Sequence, residues 1–409
     1  MREEGCKPAC GTIEAMKAEA KTLGAYIQVP FCQTKCTYCN FHTGVVSRER
    51  YAPYAAAVCR EVAETARSRG TGTTGEEAVA IDTIYFGGGT PSLLEASALK
   101  DILETLQRSF GFASGMPNAP EITLEADPET ITQEKALAWI AAGFNRVSLG
   151  VQSFTDLELK AAGRMHRRAD IFAAAEILRG AGFRNISMDL IAGLAHQTRE
   201  SWEESLAQLV EIRPEHVSIY MLEIDEGSHL GKESLAGGSR YGAGTIPSDD
   251  AIADSYERAR EELRAAGYEH YEISNWGLPG FRSRHNLKYW QREPYLGFGA
   301  GAHSFDGAKR WANAHDSAHY VTCIEQGVSP REQEQVVTRG EALEEELFLG
   351  LRQLDGVDLA RIERAYDVNL TERVASLREQ GLLEVNGRQL RLAPEHLAVS
   401  NSVLVELLS

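Results

Sequence analysis

At 409 residues the chain is long enough for one large core and a smaller second domain. Hydrophobic residues at 43% and charged residues at 25% are ordinary for a soluble globular protein, while 42 basic against 59 acidic residues leave a net charge of −17. Such a surface repels phosphate backbones and anionic lipid, which argues against nucleic acid as a general partner. No stretch approaches the roughly 20 apolar residues that span a bilayer. The N-terminus, MREEGCKPACGTIEAMKAEAKTLG, lacks the apolar run of a signal peptide, so a cytoplasmic protein that is not integral to a membrane is expected.

Residues 1–23 read as a disordered N-terminal extension. From position 25 short apolar runs alternate with helical periodicity. The strand candidates are 25–31, 83–88, 121–126, 146–152, 186–193 and 216–224, several of them read as apolar on both faces, as in a parallel sheet covered on both sides. Helix candidates at 54–68, 96–110, 133–142, 169–180, 199–212 and 249–266 fall between or after them. Six β-then-α units with right-handed crossovers imply an α/β fold whose parallel sheet curls into a full or partial barrel. The Gly- and Ser-rich stretch 234–248 reads as a mobile loop.

The texture changes near position 333, so the expected domains are 24–332 and 333–409. In the second, 341–354, 358–366 and 370–380 read as helices, followed by LLEVNGRQLRLA, whose Asn386-Gly387 is a strong hairpin signal. Helices and a hairpin resemble a small winged-helix domain, and the acidic helices argue for a structural or substrate-covering role over DNA binding.

Seven cysteines is an odd number, and three of them lie within eight residues as Cys32-x-x-x-Cys36-x-x-Cys39, directly after a strand candidate. In a reducing compartment such crowding points to metal rather than disulfides. Three thiolates suit an iron–sulfur cluster; a zinc site completed by His42 is the alternative. On a 4Fe-4S cluster, three cysteines leave one iron open for a chelating ligand. Gly87-Gly88-Gly89-Thr90-Pro91 follows the next strand candidate, where a barrel places its active-site loops and where glycine lets backbone approach a ligand. Its register with the cysteine loop favours the cluster.

YIQVPFCQTKCTYCNF, the GGGTP loop and LEADPE together resemble the radical-SAM group that contains oxygen-independent coproporphyrinogen III oxidase and the HemW heme chaperones. The resemblance runs from Ala25 to the C-terminus. It implies a partial TIM-like (β/α)6 barrel with extra C-terminal strands. Cys32, Cys36 and Cys39 would hold the cluster, and S-adenosylmethionine would chelate the open iron, from which a reduced cluster can release a deoxyadenosyl radical. Tyr26, the backbone at Tyr38, Gly88, Gly89, Thr90, Glu125, Gln152, Arg164 and Asp189 match the family's positions for that cofactor. Carboxylates there can accept from ribose hydroxyls or the amino group, and Arg164 can pair with a carboxylate.

Two departures separate the relatives. The oxidases resemble CxxxCxxCxC, whereas Phe41 stands at the last position here. His285-Asn286-Leu287-Lys288-Tyr289-Trp290 matches the HNxxYW signature of the HemW side, so His285 is the candidate heme ligand; the alternative is a structural histidine beside core aromatics. His303 faces either the barrel mouth or the core. His315 and His319, four apart, share a face if helical. Cys6 and Cys10 lie in the extension, and Cys59 and Cys323 read as packing residues.

The resemblance implies a heme chaperone that delivers heme to apo-hemoproteins, among them membrane respiratory complexes reached through protein contacts. The alternative is an enzyme that decarboxylates coproporphyrinogen III. An open iron could equally take a ligand from a second subunit, which leaves a homodimer open.

Overall fold

The computed structural model describes residues 22–69, 80–113 and 119–408. Cys6 and Cys10 lie outside them. Strands β1 (Leu23–Val29), β2 (Ile81–Gly88), β3 (Glu121–Ala126), β4 (Arg146–Gln152), β5 (Ile186–Ala192) and β6 (His216–Met221) pair in chain order, all parallel. Parallel neighbours need crossovers. These are α1 (Tyr51–Ser68), α2 (Ala96–Phe110), α3 (Gln133–Ala142), the pair α4 (Asp156–Ala161) and α5 (Arg168–Ala181), and α6 (Arg199–Ile212). In α2 the buried residues Leu99, Ile102, Leu103, Leu106 and Phe110 fall at helical spacing, so one stripe packs on the sheet. Gly143, at φ +106°, ends α3 in the left-handed conformation that a Cβ disfavours.

After β6 come α7 (His229–Leu235) and α8 (Asp249–Ala265), then β7 (Glu269–Glu272) and β8 (Asn275–Gly277), added antiparallel beyond β6. The short helix α9 (Arg284–Trp290) leads to β9 (Tyr295–Phe298), which pairs in parallel with β1. Antiparallel β10 (His303–Phe305), β11 (Lys309–Asn313) and, after α10 (Ser317–Glu325), β12 (Arg331–Val336) complete that side. The order β12-β11-β10-β9-β1-β2-β3-β4-β5-β6-β8-β7 leaves two free edges, so the sheet is a partial barrel with extra C-terminal strands.

The strands are not apolar on both faces. Along β3, Ile122, Leu124 and Ala126 face the helices, while Glu121, Thr123 and Glu125 turn the other way; β4 does the same with Val147 and Leu149 against Arg146 and Ser148. The inner face is polar and buried, and the period is two. Runs such as ISMDLIA look apolar because Ser187 and Asp189 are few among large neighbours.

The remaining elements are α11 (Arg339–Gly350), β13 (Val357–Asp358), α12 (Leu359–Tyr366), α13 (Thr371–Glu379), β14 (Leu383–Asn386), β15 (Gln389–Leu392) and α14 (Ser400–Leu408). Their core, including Leu347, Leu351, Ile362, Leu377, Leu390 and Leu407, is separate from that of the barrel. The hairpin turns through Gly387 and Arg388, one residue later than the Asn-Gly signal, because Asn386 still pairs with Gln389. Glu345 on α11 ties this unit to the barrel by accepting from Arg292 at 2.6 Å and from Arg310 at 2.8 Å. Part of the expected loop 234–248 is ordered: α7 runs to Leu235, and Arg240–Thr245 forms a 3-10 turn broken at Tyr241 and Gly242. His315 precedes α10, so it does not share a helix face with His319.

Candidate cofactor site

The carboxyl ends of the parallel strands open onto a cavity of about 410 Å³. It is lined by Cys32, Cys36, Tyr38, Cys39, Gly88, Gly89, Thr90, Glu125, Gln152, Arg164 and Asp189, which come from five of the six strands or the loops after them. Such a mouth is where a barrel concentrates its chemistry.

Backbone bonds hold the cysteine loop from both sides. The Cys32 N–H donates to Gly44 O at 3.1 Å, and the Thr37 N–H donates to Ala162 O at 3.0 Å, at the end of α4. Leu230 N–H in turn donates to Thr37 O at 2.7 Å, bringing α7 against the loop. Burial raises the Cys32 thiol to about 11 and also raises that of Cys39. Bound iron would reverse this, since a coordinating thiol is deprotonated.

The glycine turn is fixed by contact. A Cβ on Gly89 would stand 2.5 Å from Phe31 O and 3.0 Å from Cys32 Sγ, so any side chain there would push the cysteine loop away. The N–H groups of Gly89 and Thr90 donate to Val29 O and Phe31 O at 2.8 and 2.7 Å, which locks the two loops in register. Thr90 Oγ1 donates to Asp127 at 2.9 Å.

Glu125 accepts from Tyr85 OH at 2.8 Å and from Gly88 N–H at 3.1 Å. Burial raises its carboxyl to about 7 despite the Tyr85 bond, with Asp189 adding to the rise. Asp189 is itself raised by burial, tempered by the Ser218 hydroxyl and Arg146, and it accepts from Ser148 at 3.3 Å. Arg164 donates to Gly150 O at 2.8 Å, pairs with Asp127, and reaches Cys36 Sγ at 3.4 Å. Gln152 holds φ +67°, an uncommon conformation for a side-chain-bearing residue, as β4 ends at the cavity.

Two candidates lie elsewhere. Tyr26 OH donates to Gln28 at 2.9 Å, and its ring stacks against Tyr85, below the cavity lining. His285 lies deeper, on α9, which closes the opposite end of the barrel. There the N–H groups of Arg284 and His285 donate to Glu121 at 3.1 and 3.0 Å, at the start of β3, and Lys288 pairs with Asp82 at 3.1 Å, near the start of β2. His285 is 1% exposed, and its ring nitrogens meet Thr83 Oγ1 at 2.9 Å and Tyr289 OH at 2.8 Å. Burial lowers its pKa to about 3. The HNLKYW stretch is thus the floor of the barrel.

Asp127 and Tyr85 escaped the sequence reading. Asp127 joins Thr90 to Arg164, and Tyr85 positions Glu125. Strand alternation is the signal for both: Asp127 is two residues beyond Glu125, and Tyr85 is two beyond Thr83.

The donor set suits the cluster and S-adenosylmethionine. Three thiols face one cavity beside a turn without Cβ atoms, and carboxylates and a guanidinium line the rest. Among the described residues no three His, Cys, Asp or Glu side chains converge as a single ion requires. In a cluster each thiolate instead has its own iron.

The profile of the Radical SAM superfamily matches residues 26–209, and that of the HemN C-terminal domain matches residues 337–397. The site and fold therefore define a radical-SAM protein. The chain is 34% identical over 383 residues to the protein named heme chaperone HemW of Bacillus subtilis, covering 93% of this chain and 97% of that one. It is 37% identical over 364 residues to the HemW of Synechocystis, covering 86% and 82% of the two chains. A bovine mitochondrial protein named radical S-adenosyl methionine domain-containing protein 1 is 31% identical over 401 residues, covering 94% and 87%. The solved structure of HemN, the coproporphyrinogen III oxidase of Escherichia coli, shares the fold at a TM-score of 0.79 and 22% identity, covering 95% of this chain and 90% of that one. The chain belongs to the HemW family of radical-SAM proteins, which is related to HemN.

Proposed function

We propose that this chain is a heme chaperone of the cytoplasm, which binds heme and hands it to apo-hemoproteins, with respiratory-chain enzymes as recipients. The observation that carries this reading is identity along nearly the whole chain to proteins named heme chaperones, 93% of it in the Bacillus case. Phe41 supports it: it stands where the oxidases carry a further cysteine, and at 66% exposure it lines the mouth of the cavity that the three cysteines share.

In this reading Cys32, Cys36 and Cys39 ligate a 4Fe-4S cluster whose open iron binds S-adenosylmethionine, and that pair supplies an electron-transfer and radical capability when reduced. Gly88, Gly89 and Thr90 admit the methionine end, Glu125 and Asp189 accept from its amino or ribose groups, and Arg164 neutralises charge beside Cys36. With a net charge of −17, contact with membrane complexes runs through protein surfaces rather than anionic lipid.

The test is anaerobic. The cluster is reconstituted, and the sample is divided between a hemin titration and a coproporphyrinogen III assay with reductant and S-adenosylmethionine. Stoichiometric hemin binding without protoporphyrinogen is the expected result. Catalytic turnover of coproporphyrinogen would replace the chaperone reading with the oxidase.

A further inference from the structure

Histidines from distant parts of the sequence meet beside the cysteine loop. His42 follows Cys39 by three residues, and its ring centroid lies 4.1 Å from that of His315, with 36° between the planes. His315 follows β11, and its Nδ1 is buried without a hydrogen-bond partner. Gly301, at φ +72°, makes room for it, since a Cβ there would stand 3.1 Å from that nitrogen. His303 on β10 belongs to the same group. Burial first, then the charges of His315, Arg310 and His42, hold its pKa below the usual value.

Two histidines of the barrel interior are tied down at both ring nitrogens. His216 meets Ser187 at 2.8 Å and Tyr271 at 2.7 Å, and His285 meets Thr83 and Tyr289. His42, by contrast, is exposed and flanked by exposed apolar side chains, Phe41 at 66% and Val45 at 60%. An exposed imidazole between exposed apolar groups is a poor surface for water and a good one for a porphyrin face.

We propose that heme is taken up at this rim, its iron ligated by His42 with His315 beside it and one porphyrin face resting on Phe41 and Val45. The inference rests on the heme-chaperone reading and locates its cargo. Heme is favoured over a bare ion by geometry. No three potential ligands among the described residues converge for a single metal, whereas heme iron brings four nitrogens of its own and asks the protein for an axial imidazole. Size points the same way. The cavity, at about 410 Å³, is near the small end of ligand sites, and Phe41 lies on its lining, so a porphyrin on this rim sits at the cavity's mouth rather than within it. For His285 to serve instead, α9 would have to leave the floor of the barrel.

The test is a hemin titration of the full chain, followed by its Soret band, in wild type and in the His42→Ala/His315→Ala double variant. Titrating the cluster-free forms as well separates loss of a heme ligand from loss of the cluster. The double variant should bind hemin at least about tenfold more weakly, with a shifted Soret band, in both forms. Wild-type affinity and spectrum in the double variant would overturn the site while leaving the chaperone reading standing. Failure of the wild type to bind hemin would overturn both.

Discussion

Arg164 Nη1 lies 3.4 Å from the sulfur of Cys36 while the same guanidinium pairs with Asp127, so one buried cation serves the cysteine loop and the end of β3 together. Arg164 and Asp127 are only 9% and 19% exposed, which makes the pair costly to break from one side. Arg164→Ala should lower stability by about 3 kcal/mol, because Asp127 loses its charge partner and keeps only the bond from the Thr90 hydroxyl. Urea unfolding of that variant, of Asp127→Asn and of the double variant measures the coupling. Additive losses would show that the two side chains act independently.

Gly89→Ala places a methyl group where Phe31 O and Cys32 Sγ already stand. The clash is with the Phe31 carbonyl and the Cys32 sulfur rather than with packed core side chains, so the circular dichroism spectrum should stay that of the wild type. Iron bound per chain after reconstitution should fall to less than about half, by analogy with the rate and affinity losses that small misplacements of positioned groups cause. Full iron content would mean that the loop yields without consequence.

Three buried carboxyls are raised to about 7, in each case chiefly by burial: Glu61, Glu125 and Glu272. An acid whose folded pKa exceeds its unfolded value binds more protons in the folded state, so stability falls as pH rises between the two values. The cluster-free chain should therefore lose stability from about pH 4.5 to pH 7, by at most about 3 kcal/mol per group. Glu61 is remote from the cavity lining and accepts from Tyr320, Asn313 and Gly299. Glu61→Gln should flatten its share of the slope. Equal slopes in wild type and variant, by denaturant unfolding across this range, would contradict the assignment.

His285→Ala removes two ring hydrogen bonds and leaves a void in the floor of the barrel. The loss should be roughly 2–4 kcal/mol of stability. Thermal and urea unfolding check this directly. A variant as stable as the wild type would show that α9 does not depend on this side chain.

Helices such as α2, α3 and α6 were legible to the residue, because apolar spacing and caps are local. The cysteine loop and glycine turn were legible because each is a short contiguous motif after a strand. The polar inner face was not, since Ser148, Ser187 and Asp189 are outnumbered along the chain by the residues that face the helices. The position of HNLKYW was also hidden: only the bonds from α9 to Glu121 and Asp82 show that it closes the barrel. The approach of His42 to His315 depends on β9 pairing with β1, a long-range contact with no local signature.

Delivery of heme to an acceptor protein is read from transfer kinetics. The reconstituted chain carrying one equivalent of hemin is mixed with a heme-free respiratory-chain cytochrome, and the Soret band is followed as the acceptor concentration is raised. A chaperone that hands heme over within a complex predicts a transfer rate that climbs with acceptor concentration and exceeds the rate of release to solvent. A rate independent of the acceptor, equal to simple dissociation, would contradict the account.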